Sequence, residues 1–177
     1  IVAPSANLFS HVSPTNAQHV IADLIGKVDI ILDSGDTMVG VESTVVDVTE
    51  MPLKVLRLGG ITVEKLQEMT SEIIIANGEN KTKKSPGMLK KHYAPKAKMI
   101  VVEEKNEKMY KNILKLASEF RHSGKKVGIV VSRENCDKYP GFLVSILGKG
   151  QDLETCARNL YTQLRRLDEL NCEFIIS

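Results

Sequence analysis

The sequence predicts an α/β protein in which a linker joins two domains, the second built on a doubly wound parallel sheet. Between residues 98 and 177, short apolar runs of strand length alternate with amphipathic helical patterns, as in such sheets. One run, residues 127–131, is apolar almost throughout, which is typical of a strand buried on both faces. Residues 79–97 are rich in lysine and lack periodicity, which favours a linker. The first domain is therefore expected at residues 1–78.

The composition is that of an ordinary globular protein. With 42% hydrophobic and 26% charged residues, a chain of 177 residues can bury a core. The net charge of +2 does not indicate a nucleic-acid-binding protein, although seven lysines and no acidic residue lie between Lys81 and Lys98. The three cysteines form no C-x-x-C pair, which indicates core residues of a reduced, cytoplasmic protein. No segment approaches the roughly 18 apolar residues of a membrane span.

The first helix is predicted directly after Ser13-Pro14, with Ser13 at the N-cap and Pro14 at the first helical position. Gly26 is expected to end this helix. Its apolar face is expected to hold Ala17, Val20, Ile21 and Leu24. His19 lies off this face and is expected in solvent. Residues 29–32, of which the last three are apolar, predict a short buried strand.

Three more strands and one helix are predicted before the linker. The stretch that begins at Gly40 leads into a β-branched strand and places a carboxylate and two hydroxyls at its mouth. The strands are expected at residues 44–48, 53–58 and 72–76. Gly59-Gly60 breaks the second of them, and Thr62 then caps a short helix that reaches about Met69.

Four strands and two helices are predicted in the second domain. The strands are expected at residues 99–103, 127–131, 142–147 and 173–176. One helix contains Tyr110 and Ala117 and ends before Gly124. Asp152 is expected to cap the other helix. The apolar side of that helix is expected to hold Leu153, Cys156, Ala157, Leu160, Leu164 and Leu167.

The chemistry-bearing residues favour a site for a polyphosphate. H-E-x-x-H, Walker A and G-x-G-x-x-G motifs are missing and the four histidines are dispersed, so metal hydrolases and dinucleotide-binding proteins receive little support. Four hydroxyls at turn positions and Arg57 on a strand can bind phosphate oxygens. These hydroxyls belong to Ser5, Ser13, Ser43 and Thr44. Plainer interpretations stay open: Ser13 as an N-cap alone, Arg57 as a surface ion pair, and the lysines of the linker as a solvated face.

Several short motifs resemble, in their order, the long two-domain threonylcarbamoyl-AMP synthases. They are Pro4-Ser5-Ala6-Asn7, Ser13-Pro14-Thr15, Gly40-Val41-Glu42-Ser43-Thr44-Val45-Val46-Asp47, Leu56-Arg57-Leu58-Gly59-Gly60, and Ser85-Pro86-Gly87-Met88 with His92-Tyr93-Ala94-Pro95. The resemblance implies that residues 1–78 are the C-terminal part of a YrdC-like twisted-sheet domain. Residues 79–97 would be a linker that acts as a lid, and residues 98–177 a small Rossmann-like parallel-sheet domain.

The resemblance also implies a reaction. Enzymes of this family are nucleotidyltransferases that condense L-threonine, bicarbonate and ATP into L-threonylcarbamoyl-AMP and pyrophosphate, with Mg²⁺ accompanying the triphosphate. A downstream transferase uses the product to modify adenosine 37 of tRNA. Carried onto this sequence, the ATP contacts would be Ser5, Ser13, Arg57, Tyr93 and Asn7. The threonine contacts would be Ser43 and the backbone of Ala3. The resemblance assigns no catalytic nucleophile or protein metal ligand.

Two points qualify this expectation. The family's lysine- and arginine-bearing ATP motif would lie before Ile1 and both ends look cut, so we expect the chain alone to be inactive. The alternatives are a YrdC-type RNA-binding module that grips phosphates through the lysines of the linker, and a carbamoyl transferase of hydrogenase maturation. RNA binding receives less support, because the chain has only four Tyr, four Phe and no Trp and so offers few aromatic rings for base stacking.

Overall fold

The computed structural model describes residues 2–76, 93–104 and 106–177. In this part of the chain, four α-helices, one 3₁₀ helix and seven strands are present. The α-helices are α1 (Ala17–Leu24), α2 (Val63–Gln67), α3 (Asn106–His122) and α4 (Leu153–Glu169), and the 3₁₀ helix is Arg133–Lys138. The strands are β1 (Val45–Asp47), β2 (Leu53–Arg57), β3 (Ile73–Ile75), β4 (Lys98–Ile100), β5 (Val127–Val131), β6 (Leu143–Ile146) and β7 (Phe174–Ile176). No helix in these ranges is both long enough and apolar enough to cross a bilayer.

The N-terminal sheet has the order β1-β2-β3, with β1 antiparallel and β3 parallel to β2. The central strand buries Val55, which is 1% exposed. The three strands predicted at residues 44–48, 53–58 and 72–76 are therefore confirmed. Thr62 caps α2 as predicted, because its hydroxyl accepts a hydrogen bond from the backbone N–H of Lys65.

The second sheet is entirely parallel, in the order β4-β7-β5-β6. Alternate residues of β5 face opposite layers: Val130 packs with Leu164 and Leu167 of α4, whereas Ile129 packs with α3. Every residue of β5 is buried. The predicted doubly wound parallel sheet is confirmed.

Helix α4 begins as predicted, with the Asp152 carboxylate accepting the backbone N–H of Thr155 at 3.0 Å. Its predicted apolar side is confirmed at Leu164 and Leu167, which are buried. Leu153, predicted on the same side, is instead 74% exposed, because it lies in the first turn, outside both core clusters of the described residues.

The predicted start of α1 is wrong. Helix α1 begins at Ala17 and its N-cap is Asn16, whose side-chain oxygen accepts the backbone N–H of His19 at 3.0 Å. The prediction that His19 lies in solvent is also wrong: its ring is buried, and its Nδ1 accepts a hydrogen bond from the backbone N–H of Thr15 at 3.2 Å. Burial, aided by the charge of Arg165, lowers the pKa of His19.

The predicted buried strand at residues 29–32 is wrong. Within the described part of the chain no strand pairs with it, and Ile30 and Leu32 are 78% and 92% exposed. An isolated apolar run lacks the neighbouring strand that would satisfy its backbone groups, so the local pattern alone does not produce a strand.

Only the end of the predicted linker falls within the described residues. The lysines from Lys81 to Lys91, the segment 85–88 and His92 lie outside them, and the domain boundaries at residues 78 and 97 stay predictions. Residue Ala94 forms a parallel bridge with His11, and its N–H donates to the carbonyl of Ser10 at 3.1 Å.

The linker end is also fixed to α4. The Asp168 carboxylate accepts the backbone N–H groups of Lys96 at 2.8 Å and of Ala97 at 3.0 Å. These bonds satisfy two consecutive amides with one charged acceptor. The chain therefore enters β4 from a point that is held by the second domain.

A buried guanidinium joins the N-terminal region to the second domain. Arg165 of α4 donates to the carbonyls of Val12 and Ser13 and to both carboxylate oxygens of Asp23, at 3.2 and 2.6 Å. The side chains of Arg165 and Asp23 are each only 10% exposed. Burial by itself raises the pKa of Asp23, but the hydrogen bonds and charge of Arg165 outweigh it and hold that pKa below its usual value.

Replacing Arg165 with methionine is expected to lower the free energy of unfolding by about 4 kcal/mol, because it leaves a buried carboxylate and two carbonyls without their donor. Asp23→Asn is expected to remove about half as much, since Arg165 keeps its two carbonyl acceptors. Urea denaturation measures both values.

The matched control is the exposed pair Lys125–Glu173, whose atoms lie 2.9 Å apart with side chains 45% and 48% exposed. Glu173→Gln is expected to leave the stability close to that of the wild type, because exposed ion pairs contribute little. Equal losses for Arg165→Met and Glu173→Gln would contradict the role given to the buried pair.

Candidate functional site

The segment Gly59-Gly60, which follows β2, packs on the turn before β1 that contains Glu42 and Ser43. A Cβ on Gly59 would lie 2.3 Å from the carbonyl oxygen of Glu42, and the N–H of Gly60 donates to that oxygen at 2.8 Å. Thr44 adds two bonds to Ile61, donating to its carbonyl at 2.5 Å and accepting its N–H at 3.1 Å. The hydroxyl of Thr44 therefore holds the two segments together, and the turn before β1 has a fixed position.

Gly40 fixes the other end of this turn against the second domain. Its φ of +75° lies in the left-handed region, and a Cβ would lie 2.1 Å from the carbonyl oxygen of Arg158 in α4. A side chain is thus excluded both by conformation and by space. The Glu42-Ser43 pair is consequently held between β2 and α4.

Arg57 connects the predicted threonine and ATP residues. Its Nε donates to the carbonyl of Ser43 at 3.0 Å and one terminal nitrogen donates to the Ser43 hydroxyl at 2.9 Å. The other terminal nitrogen donates to the hydroxyl of Tyr93 at 2.9 Å. The structure therefore brings Ser43, Arg57 and Tyr93 together, while their assignment as ligand contacts stays a prediction.

Tyr93 has an unusual backbone at this point. Its φ of +53° is left-handed, which is unfavourable by about 1–2 kcal/mol for a residue with a side chain. The bridge between Ala94 and His11 and the bond to Arg57 hold it there. The guanidinium carbon of Arg57 lies 5.7 Å from the centre of the tyrosine ring, within the range of a cation–π contact.

Ser5 and Ser13 line a neighbouring cleft of about 430 Å³, together with Gly40, Glu42 and Tyr161. Ser13 is buried and its hydroxyl donates to a carboxylate oxygen of Glu42, whereas Ser5 is exposed. Ser13 therefore serves the cleft from the loop before the helix, not as the predicted N-cap.

The two remaining predicted residues lie apart from these contacts. The side-chain amide of Asn7 donates to the carbonyls of Leu8 and His11, each at 3.0 Å, and so shapes its own loop. Ala3 is exposed ahead of Ser5. Among the described contacts, none joins Asn7 or Ala3 to Ser43 or Arg57.

Two residues of the cleft were missed by sequence reasoning. Glu42 was noted only as part of the turn, and its contact with Ser13 spans 29 positions. Tyr161 lies on α4, where the only signal was an aromatic ring with a polar tip beside the apolar positions. Burial, then the charges of Glu42 and Tyr93, raise the pKa of Tyr161 to about 12 against the opposing effect of Arg57.

The arrangement is suited to binding an anion next to a small polar group. One guanidinium and several hydroxyls converge on neighbouring surfaces, and hydrogen bonds from such donors to charged oxygens are strong. In the described residues, no group of three or more His, Cys, Asp or Glu side chains is arranged to hold a metal ion.

Comparison with known families identifies the kind of protein. A family model described as "Threonylcarbamoyl-AMP synthase, C-terminal domain" matches residues 61–177, more than half of the chain. The chain belongs to the threonylcarbamoyl-AMP synthase family. A second family model, described as "Telomere recombination", matches residues 1–59.

Curated threonylcarbamoyl-AMP synthases are similar over the whole of this chain. The protein of Pyrococcus abyssi is 41% identical over 181 residues, covering 100% of this chain and 52% of that protein. The proteins of Bacillus subtilis and Schizosaccharomyces pombe are 39% and 35% identical, covering 100% and 99% of this chain and 51% and 47% of theirs. The chain thus spans about half the length of these relatives.

Solved structures of threonylcarbamoyl-AMP synthase relatives confirm the α/β fold. The crystal structure of P. abyssi Sua5 complexed with L-threonine has a TM-score of 0.86 at 40% identity and covers 98% of this chain and 51% of that one. A variant of P. abyssi Sua5, with an adjacent histidine and tyrosine both changed to alanine, has a TM-score of 0.85 at 39% identity, covering 98% and 49%.

Replacing Gly40 with alanine is expected to destabilise the protein by about 2 kcal/mol more than replacing Gly26 with alanine. Both glycines have a φ of +75°, but a Cβ at Gly26 would meet nothing within 4 Å, whereas one at Gly40 would collide with the backbone of Arg158. Thermal unfolding of the two variants separates the steric clash from the conformational penalty. Equal losses of stability in Gly40→Ala and Gly26→Ala would contradict a close contact between α4 and this turn.

Proposed function

We propose that the protein containing this chain is an L-threonylcarbamoyladenylate synthase. In this reaction the amine of L-threonine attacks the carbon of bicarbonate, and loss of water gives a carbamate. A carbamate oxygen then attacks the α-phosphorus of ATP and displaces pyrophosphate. The observation that supports this proposal most is the convergence of Arg57, Ser43 and Tyr93, together with relatives named as threonylcarbamoyl-AMP synthases.

The ATP side of the site is proposed to use Ser5, Ser13, Arg57 and Tyr93. The guanidinium supplies a fixed positive charge for phosphate oxygens, and the hydroxyls supply short donors of adjustable direction. Asn7 is proposed to serve the nucleotide indirectly, because its amide donors already hold the loop that presents Ser5.

The threonine side is proposed to use Ser43 and the backbone of Ala3. Ser43 is exposed, so its hydroxyl can reach a ligand while it accepts the hydrogen bond from Arg57. The P. abyssi structure complexed with L-threonine, to which this fold is similar, supports a threonine site in the family.

No step requires a covalent nucleophile from the protein. Arg57 can neutralise charge that develops on the phosphates, and fixed donors can hold carbamate and ATP in line. Tyr93, placed over Arg57 at the end of the linker, can keep water from the labile carbamate. In one solved relative, an adjacent histidine and tyrosine are both changed to alanine. His92-Tyr93 is the one such pair in this sequence, which supports a role for Tyr93.

Mg²⁺ is proposed to enter with the triphosphate. The described residues provide no acidic cluster for a protein-bound ion. Mg²⁺ commonly keeps several waters and is held by substrate phosphates, so the donor set fits this mode. The ion would supply charge neutralisation at the phosphates.

The product is proposed to be consumed by a transferase that places the threonylcarbamoyl group on adenosine 37 of tRNA. An acyl-adenylate is an activated acyl donor that releases AMP when an amine attacks it, which is the chemistry that such a transferase would use. The alternative of a YrdC-type RNA-binding module receives no support from a described contact, because the lysines from Lys81 to Lys91 lie outside the described residues.

In the full-length protein, Arg57→Ala is expected to reduce threonine-dependent release of pyrophosphate from ATP by about 100-fold, because a fixed charge and three hydrogen-bond donors are lost. Arg133→Ala, at an exposed position in the second domain, is the matched control and is expected to keep full activity. Strong salt-dependent RNA binding without any pyrophosphate release by the wild type would favour the RNA-binding alternative.

Tyr93→Ala is expected to lower formation of the adenylate by at least about tenfold while shifting the unfolding temperature little, because Tyr93 closes over Arg57 and lies at a surface loop. Tyr93→Phe keeps the ring and is expected to lose less. Chromatographic measurement of threonylcarbamoyl-AMP tests both variants, and unchanged turnover in Tyr93→Ala would remove the proposed covering role.

A further inference from the structure

Tyr161 brings the second domain into the cleft that the N-terminal region forms. The cleft of about 430 Å³ is lined by Ser5, Ser13 and Glu42 from the first region and by Tyr161 from α4. The electrostatic neighbours of the Tyr161 hydroxyl are Glu42, Tyr93 and Arg57, all residues of the candidate site. One wall of this cleft therefore belongs to a helix of the other domain.

The position of Tyr161 is fixed by its neighbours on α4. Three positions before it, the backbone of Arg158 lies against Gly40. At the next position, the hydroxyl oxygen of Thr162 lies 2.7 Å from that of Thr15. One turn further, Arg165 binds Asp23 and the carbonyls that precede α1. The tyrosine ring is thus held in place without a contact from its own hydroxyl.

That hydroxyl is available to a ligand. Among the described residues none forms a hydrogen bond with it, whereas the flanking side chains are all engaged with one another. Burial and the nearby Glu42 carboxylate raise the pKa of Tyr161 to about 12, so the group stays protonated at neutral pH. It can therefore act as a hydrogen-bond donor to an anion.

We propose that the Tyr161 hydroxyl donates a hydrogen bond to a phosphate oxygen of ATP, so that the second domain completes the nucleotide site. The proposal rests on the proposed function. A phosphate fits better than the threonine carboxylate, because Ser5 and Ser13, both proposed nucleotide contacts, line the same cleft as Tyr161, and the charge of Arg57 acts on its hydroxyl. Ser43, the proposed threonine contact, does not line this cleft.

The test is Tyr161→Phe in the full-length protein, which keeps the ring in the cleft and removes one donor. Isothermal titration with a non-hydrolysable ATP analogue and Mg²⁺ is expected to show about tenfold weaker binding, the usual effect of losing a hydrogen bond to a charged acceptor. Separate titration with L-threonine is expected to give an affinity within about twofold of the wild type. The unfolding temperature is expected to stay unchanged.

Tyr110→Phe is the matched control, since Tyr110 lies on α3, which packs on the opposite face of the second sheet. It is expected to bind both ligands as the wild type does. Analogue affinity in Tyr161→Phe equal to that of the wild type would overturn the inference alone. Loss confined to L-threonine, or an equal loss for both ligands with a lower unfolding temperature, would overturn it as well. A wild type that binds neither ligand would overturn both the inference and the proposed function.

Discussion

The buried guanidinium of Arg165 is the contact on which the position of the candidate site depends. It takes the carbonyls of Val12 and Ser13 and the carboxylate of Asp23 out of water together, and each of these groups would be destabilising without a donor. Arginine suits this role because its rigid fork serves several acceptors at once. Since Ser13 lies in the cleft and Arg165 lies one turn after Tyr161, the same contact aligns both walls.

Helix α4 consequently packs on the second sheet with one side and contacts the N-terminal region with other residues. Leu164 and Leu167 pack on the parallel sheet, so the helix is part of the core of the second domain. Elsewhere on the helix, Thr162 contacts Thr15 in the loop before α1, the backbone of Arg158 lies against Gly40, and Asp168 binds the entry to β4. The candidate site therefore sits at a junction whose geometry is set by the core of the second domain.

The sequence predicted the elements whose burial pattern is local. Residues 127–131 and the apolar side of α4 show strand and helix periods directly, and both predictions are confirmed. The errors at Ser13, His19 and residues 29–32 arise where distant partners decide the outcome. Ser13 is turned toward Glu42, and the apolar run has no strand beside it in the described residues.

The candidate site shows the same limit. The family resemblance assigned Ser43, Arg57 and Tyr93 to the substrates of one reaction, because ordered motifs carry information on distant residues that periodicity does not. No motif pointed to Tyr161, which is separated from Glu42 by more than 100 residues and has an ordinary place on a helix. The contact between Gly40 and Arg158 joins main chain to main chain, so substitutions on the outer surface of α4 leave it intact, whereas a shift of the helix axis does not. Chimeras that exchange second domains between relatives and keep Arg165 would therefore tolerate divergent side chains on the outer surface of α4, but would fail where the grafted helix lies at a different distance from the turn.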